Sequence, residues 1–388
     1  MKPKANGKAQ ALKVLHVITG LSTGGAEMML YKLLSAWNRK HFSGAVVSMI
    51  PPGPVGVRIA ALGVPVDSLN MRRGVPDPLG VVRLAQKMRR FAPDVVQTWM
   101  YHSNLVGGLA AMFAGRPPVI WGIHNGTQDP HRSSASGIWS ARIGAPLSRV
   151  LPRKIICCSE SARKIHRALC YAARKMCVIP NGFDLQQFKP APEARHELRE
   201  QLGIATSACV AGLIGRFDPQ KDHGTFVRAS SLLRDRRPDL HFVLCGDGIS
   251  WDNPELSRWI QDVGMRDRYH LLGLRDDLPR VTAGLDVSCL SSAYGEAFPL
   301  VLGEAMACGV PCVVTDVGDC AMIVGETGVV TAPGDPQGLA SGIGRILDLR
   351  QDARQRLGES ARCRIQENFS LDRITKLYEN LYQEAAGA

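Results

Sequence analysis

The stretch GEAFPLVLGEAMACG, residues 295–309, sets two carboxylates, Glu296 and Glu304, eight residues apart in an otherwise apolar segment. Buried carboxylates need partners, so the pair is either a structural cap or a place for a ligand rich in hydroxyls. Pro299 suits the first turn of a helix, where its missing N–H costs nothing. The segment therefore reads as a loop carrying Glu296, then a helix with Glu304 about a turn and a half inside it, ending at Gly309. The amides of Phe298 and Leu300, at that helix start, favour an anion. A hydroxyl-binding carboxylate at each end with anion-binding amides between them describes a pocket for a phosphorylated polyol.

Three further stretches carry candidate chemistry. In GLIGRFDPQKDHGTF, residues 212–226, Arg216 and Lys221 flank a proline-containing turn just before a helix expected to begin near Asp222. Two cations beside a helix N-terminus can clamp a diphosphate without a metal; two solvated surface cations are the alternative. In TGLSTGGAE, residues 19–27, Gly24 and Gly25 let the backbone approach a ligand at a helix start, although a tight turn would use them equally well. His124, in PVIWGIHNGT, closes a strand; a lone histidine there is as readily structural as catalytic.

Several patterns are missing. G-x-G-x-x-G does not occur, and its nearest fragment, CGDGISW, lacks the third glycine. G-x-x-x-x-G-K-[ST] is absent as well. No two aspartates are separated by one residue, so there is no D-x-D to hold a divalent metal against a diphosphate. None of the eleven cysteines sits in a C-x-x-C pair, and no Cys/His cluster has zinc spacing. The expectation is therefore no metal and no resident cofactor, with the cysteines as buried reduced thiols.

These residues need elements to position them. KVLHVIT (13–19) reads as a strand and GGAEMMLYKLLSAW (24–37) as a helix. AVVSMI, VPVDSL, DVVQTW, PVIWGI, KIICCS and MCVIP follow as strands, mostly with helical material between them. The alternation pauses at IPNGFDLQQFKPAPEA (179–194), where Asn181-Gly182 signals a turn and Pro190 and Pro192 are expected to block regular structure. It restarts with CVAGLIG, LHFVLCG, RYHLLG, DVSCLSS, PCVVTD and GVVTA. The fold class is thus α/β, two Rossmann-like, doubly wound domains in tandem facing a central cleft. Ligands of such sheets bind at the carboxyl ends of the strands, where Arg216, Lys221 and Glu296 all fall. The expected limits are residues 1–188, residues 189–368 and a closing amphipathic helix over 369–388 that packs back toward the first domain.

At 388 residues and 45% apolar content the chain can bury two ordinary cores; only the lysine-rich first ten residues and the last few are expected to be disordered. No apolar run approaches the ~20 residues of a membrane span. The basic start is interrupted by Lys13 and His16 and lacks a small-residue cleavage site, so it reads as a short tail rather than a signal peptide. Net charge is +12, unevenly spread: residues 1–190 hold 26 basic and 7 acidic side chains, residues 191–388 hold 21 and 28. The first half therefore meets something anionic. VVRLAQKMRRF (81–91) and GIWSARIGAPLSRVLPRK (137–154) pair basic with apolar residues at helical spacing. Trp139 with Arg142, Arg149 and Arg153 fits an anionic bilayer, and two helices with solvated basic faces fit equally. Nucleic acid is a poor fit, because the cations do not interleave with stacking aromatics.

Taken in order, GGAE, a histidine after a late strand of the first domain, IPNGFD, GRFDPQKD, CGDG and E-x7-E in GEAFPLVLGEA resemble the family 4 glycosyltransferases of GT-B fold, over essentially the whole chain. The resemblance implies a retaining, metal-independent hexosyltransferase using a nucleotide-sugar, UDP- or GDP-linked, as co-substrate. It implies that the first domain binds the acceptor and the second the donor. On this reading Arg216 and Lys221 hold the donor diphosphate and Glu296 contacts the sugar with the amides of Phe298 and Leu300. Glu304 holds the ribose, Gly24 and Gly25 approach the phosphate or sugar, and His124 lies near the reacting centre. The base pocket falls near CGDG, at Gly246, and near LLG, at Leu272. Many members have glycine where this chain has Pro299, which removes one amide donor; proline is also a familiar variant there. The resemblance extends to bacterial enzymes that build surface polysaccharides, which implies a glycan or lipid-linked acceptor and a cytoplasmic protein, peripheral on the inner membrane. A catalytically inactive scaffold and a sugar-nucleotide epimerase of the same fold are the alternatives.

Overall fold

The computed structural model describes residues 11–72, 77–126 and 135–387. The first ten residues, expected to form an irregular tail, lie outside them. The described residues divide into two compact units, one running up to Gly182 and taking in the chain from Leu371 onward, the other Phe183–Ser370.

In the first unit seven parallel strands, β1 (Leu12–Ile18), β2 (Phe42–Ser48), β3 (Val66–Ser68), β4 (Val95–Trp99), β5 (Val119–Ile123), β6 (Lys154–Cys157) and β7 (Met176–Val178), run in the order β3-β2-β1-β4-β5-β6-β7. Every expected strand is present. Strands covered on both faces read as near-continuous apolar runs, and alternate residues serve the two layers. Val14, Ile18, Val95 and Trp99 pack on one side. Leu15, Val17, Val96 and Trp121 pack on the other. The helix Gly25–Ala36 and the closing helix Leu371–Gly387 cover the first layer, the latter through Ile374, Tyr378 and Tyr382. Lys154 to Glu384 at 2.7 Å and Asn38 N to Glu379 at 2.7 Å tie that helix down.

The second unit has six parallel strands, β8 (Cys209–Ile214), β9 (Leu240–Cys245), β10 (Tyr269–Leu271), β11 (Val287–Leu290), β12 (Cys312–Thr315) and β13 (Gly328–Thr331), in the order β10-β9-β8-β11-β12-β13. Both sheets thus reverse direction once, between β1 and β4 and between β8 and β11, the topology of dinucleotide-binding folds. The division falls after Gly182 rather than after residue 188. Phe183 already belongs to the second unit, where its N–H bonds Phe369 O and its ring stacks on Phe298 at 6.1 Å. Pro192 does not interrupt structure; it opens the helix Pro192–Leu202, where proline suits the first turn.

The second unit buries a charge cluster. Arg199 is fully buried, donating to Asp286 Oδ2 at 2.5 Å, to Ala208 O, and to Arg195 O and Gly284 O. Asp286 also accepts from the Val210 N–H at 2.8 Å. Eight of the eleven cysteines are buried, and all are free thiols. Burial pushes Cys245 up to about 11 and Cys289 higher, so these are packing groups and not nucleophiles.

Five histidines are held neutral by burial: His16 is lowered to about 3, and His124, His166, His223 and His270 to about 4. At His166, Nδ1 lies 2.7 Å from Ala162 O and must donate, so Nε2 accepts from the Tyr101 hydroxyl at 2.6 Å. The unfolded chain binds protons near pH 6.5 that the folded chain refuses until about pH 4. Stability is therefore complete above pH 6.5 and is lost as pH falls from there toward 4. Thermal melts by circular dichroism should show a steady Tm above pH 6.5 and a falling one below; an unchanged Tm down to pH 4 would contradict the buried neutral rings.

Candidate active site

The loops that follow β8 and β11 meet at the point where the order of the second sheet reverses, because these two strands are neighbours (Val287 beside Ala211, Ser288 beside Gly212). Lys221 comes from the first loop and Glu296 from the second. Lys221 Nζ donates to Glu296 Oε1 at 2.5 Å, and the Ser292 hydroxyl donates to the same oxygen at 2.7 Å. Both charged side chains are largely buried, 12% and 8% exposed. Oε2 is left to accept from a ligand hydroxyl, and the ammonium keeps two of its three N–H groups.

The local backbone aims this pair. Asp222, directly after Lys221, sits in the left-handed region at φ 48°. It caps the helix His223–Leu233 by accepting from Thr225 N at 3.0 Å. The Ser291 hydroxyl bonds Lys221 O at 2.7 Å and Asp222 O at 3.1 Å, so a serine of one loop holds the backbone of the other. Strain of this kind at a junction of loops marks a position fixed by its surroundings. Gly318, at φ 62°, passes so close that a Cβ would lie 2.1 Å from Glu296 O. Ser291, Ser292 and Gly318 were not singled out in the sequence, and Asp222 was named only as the expected helix start. Only Ser291-Ser292, at the end of DVSCLSS, offered a signal, and it reads equally as a strand end.

Arg216 is more exposed than Lys221. It bonds Asp218 Oδ2 at 3.1 Å and Gln220 Oε1 at 3.3 Å, on the same loop. Gly246, after β9, lies against that loop: a Cβ would stand 2.2 Å from Gly215 O. Leu272 follows β10, its N–H on Leu244 O at 2.9 Å. The helix carrying Glu304 is Leu300–Ala307 with Pro299 as its N-cap, one residue later than expected, because Pro299 is extended (ψ 124°). The amides that emerge at the helix start are therefore those of Leu300, Val301 and Leu302. Phe298 is instead buried, its ring on Phe183 and Phe369.

Gly24, Gly25 and His124 belong to the first unit, at the carboxyl ends of β1 and β5. Gly24 caps the helix Gly25–Ala36 with no side-chain partner, and a Cβ on it would strike Glu27 Oε2 at 2.5 Å. Burial raises the Glu27 carboxyl above its ordinary value. A Cβ on Gly25 would meet nothing within 4 Å, so packing within the fold does not require glycine there. His124 stacks on Trp99 with ring centroids 5.0 Å apart, and Nε2 is buried without a hydrogen-bond partner among the described residues. The intervening GLSTG, residues 20–24, matches the G-x-S-x-G spacing of a hydrolase nucleophile turn. Ser22 is exposed and outside the left-handed region, and it has no histidine or carboxylate partner among the described residues. Among the same residues no group of three His, Cys, Asp or Glu converges as a metal site does, and no helix is long and apolar enough to cross a membrane.

Two doubly wound sheets, each with candidate binding loops at its carboxyl edge, are the architecture of the GT-B class, and solved structures agree on the fold. The chain superposes on an Anabaena protein, Alr3699/HepE in complex with UDP, with a TM-score of 0.85 at 24% identity, covering 96% of this chain and 100% of that one. It also superposes on a sucrose-phosphate synthase of Thermosynechococcus elongatus, TM-score 0.79 at 20% identity, covering 96% and 98%. Residues 23–187 match the family model Glycosyltransferase Family 4, and residues 208–349 match Glycosyl transferases group 1. The chain belongs to this glycosyltransferase family. Among its relatives are the UDP-Gal:alpha-D-GlcNAc-diphosphoundecaprenol alpha-1,3-galactosyltransferase of Escherichia coli, 27% identical over 78% of this chain and 80% of that one, and the putative glycosyltransferase EpsF of Bacillus subtilis, 27% identical over 78% and 79%.

Proposed function

We propose that this glycosyltransferase moves a hexose from a UDP- or GDP-sugar to a hydroxyl of a glycan or lipid-linked glycan, with retention at the anomeric carbon and without a metal ion. The observation that carries the reading is the Lys221–Glu296 pair at the reversal point of the second sheet, with Arg216 on the same loop. Lys221 and Arg216 neutralise the leaving diphosphate as positive charge develops on the sugar ring. Glu296 Oε2 accepts from a sugar hydroxyl, Glu304 holds the ribose, and Gly246 and Leu272 border the base. The acceptor hydroxyl enters on the face the diphosphate leaves and passes its proton to a phosphate oxygen. The protein contributes positioning and fixed charge and no nucleophile. Gly24, Gly25 and His124 are further candidates for contact with sugar or phosphate.

The name of the Escherichia coli relative describes a UDP-sugar donor and an acceptor on a lipid diphosphate, and the HepE complex holds UDP. Both support this donor and acceptor class. On this reading the chain serves surface polysaccharide assembly as a cytoplasmic protein peripheral to the membrane, in keeping with a lipid-linked acceptor. The test is a thermal-shift screen against UDP-, GDP-, ADP- and CMP-sugars in the presence of EDTA. A ligand at about 100 times its Kd stabilises by about 2.7 kcal/mol. A selective shift that survives EDTA and disappears in Glu304→Ala is the expected result. A shift that appears only with added divalent metal would overturn metal independence, and no shift with any sugar nucleotide would overturn the donor site.

A further inference from the structure

His124 follows β5 directly, and no hydrogen bond to its ring is found among the described residues. A histidine that works on a ligand is usually aimed by a hydrogen bond on its other ring nitrogen. Here a stack of rings takes that place. The imidazole lies nearly parallel to the indole of Trp99, with centroids 5.0 Å apart and planes 18° from each other. The indole lies nearly parallel in turn to the phenol ring of Tyr378, at 6.0 Å and 16°. Tyr378 belongs to the closing helix Leu371–Gly387, the last element of the chain, and both it and Trp99 are buried.

Trp99 is itself held from several sides. Its indole N–H donates to His16 Nδ1 at 3.3 Å. An indole nitrogen can only donate, so Nδ1 of His16 carries no proton, in keeping with a ring that burial keeps neutral. On the neighbouring strand β5 its register partner is Gly122. A Cβ there would stand 2.8 Å from Thr98 O and 3.3 Å from His124 Nε2, so glycine leaves the space beside the imidazole. The residue after Trp99 is strained: Met100 has φ 73° and ψ 165°, a region otherwise kept for glycine. Gly122 O holds it there, accepting from Met100 N at 3.0 Å and from Asn104 Nδ2 at 3.1 Å. Such strain persists only where the surroundings over-determine it, and it collects at working sites. A tryptophan that only filled the core would need no strained turn behind it.

We propose that Trp99 and Tyr378 are positioning residues for His124: the stack sets the plane of the imidazole, and the closing helix completes the stack. Aromatic rings in such pairs hold each other beyond what burial alone supplies. This deepens the transferase reading and rests on one part of it, that His124 contacts sugar or phosphate. The last helix then serves the transfer without touching a ligand. Its effect falls on rate, because a small misplacement of a working group costs turnover. Donor affinity is spared, because Arg216 and Lys221, proposed to hold the diphosphate, belong to the second unit.

The test is a double-mutant cycle on the full chain, using the sugar nucleotide that gives a thermal shift. Trp99→Leu should lower kcat at least about tenfold, with KM for the donor within about twofold of wild type. Trp99→Phe, which keeps a ring, should recover most of the rate. Tyr378→Leu and Tyr378→Phe should follow the same order with smaller effects. In a His124→Ala background Trp99→Leu should cost nothing further, since the ring it acts through is gone. A full additional loss in that background would make Trp99 a packing residue and overturn the proposal, as would a wild-type kcat in Trp99→Leu. Where Trp99→Leu does not fold, Tyr378→Leu completes the same cycle. Wild-type turnover by His124→Ala, with the donor shift intact, would overturn the proposal and leave the transferase reading standing. Nuclear magnetic resonance of protein carrying isotope-labelled histidine gives a readout that needs no turnover. Tyr378→Leu leaves the indole in place, yet it should shift or broaden the His124 ring signal, and Tyr378→Phe should restore it. An unmoved signal would remove the closing helix from the device. If no sugar nucleotide is bound or turned over, the transferase reading falls and the ring signal still decides the stack.

Discussion

Lys221→Ala is expected to lower turnover at least ~100-fold, the effect of removing one preorganised charge from a developing anion. The ammonium is held in place before any ligand arrives, by Glu296 at 2.5 Å and by Ser291, which grips its backbone oxygen. Alanine removes the cation and strands a carboxylate that is only 8% exposed, leaving it the Ser292 hydroxyl alone. Some loss of stability will therefore accompany the loss of rate, and two controls separate them. Glu296→Gln keeps an oxygen for Lys221 and Ser292, so it should cost less melting temperature than Lys221→Ala while still lowering turnover. Ser292→Ala leaves both charges and should have a smaller effect on rate than either. Steady-state rates beside calorimetric melts make the comparison. Turnover by Lys221→Ala within threefold of wild type would remove this residue from the chemistry.

The largest loss of stability should come from Arg199→Met. Breaking a buried ion pair by removing one partner costs about 3–5 kcal/mol, because the other charge stays buried. Here the group left behind is Asp286, which keeps the Val210 N–H, the Arg195 guanidinium and, at 3.8 Å, that of Arg354, so the lower end of this range applies. Three backbone carbonyls, of Arg195, Ala208 and Gly284, lose their guanidinium donor as well. For a unit of this size that corresponds to a fall in Tm on the order of 10 °C. Arg199→Lys should recover only part of it, since an ammonium cannot reproduce a planar fork of five N–H groups. Urea denaturation gives the difference directly, and a loss below about 1 kcal/mol would show that Asp286 finds a new partner. The cluster lies at the amino end of β8, away from the loops that carry Lys221 and Glu296, so donor affinity measured on the folded fraction should not change.

The sequence by itself determined the sheets. Each of the thirteen strands among the described residues was legible because a parallel strand covered on both faces is a short apolar run bounded by turn residues. It also set Arg216, Lys221 and Glu296 in loops that follow strands, which is where the structure has them. Boundaries were less secure. Pro192 opens a helix instead of blocking one, and Pro299 caps a helix instead of entering it; proline announces a change of backbone without saying on which side the helix lies. Only the tertiary structure decided which side chains meet. Lys221 and Glu296 are 75 residues apart and Arg199 and Asp286 are 87 apart; both pairings exist because β8 lies beside β11, and strand order is a property of the whole sheet. The same holds for the helix Tyr101–Phe113 of the first unit. Its Leu109, Met112 and Phe113 are exposed, but they sit in GGLAAMF, which reads as an ordinary core helix. That helix buries its glycines and alanines against the sheet, so its large residues have nowhere to go but outward, and only packing reveals which face of an apolar helix is turned to the core.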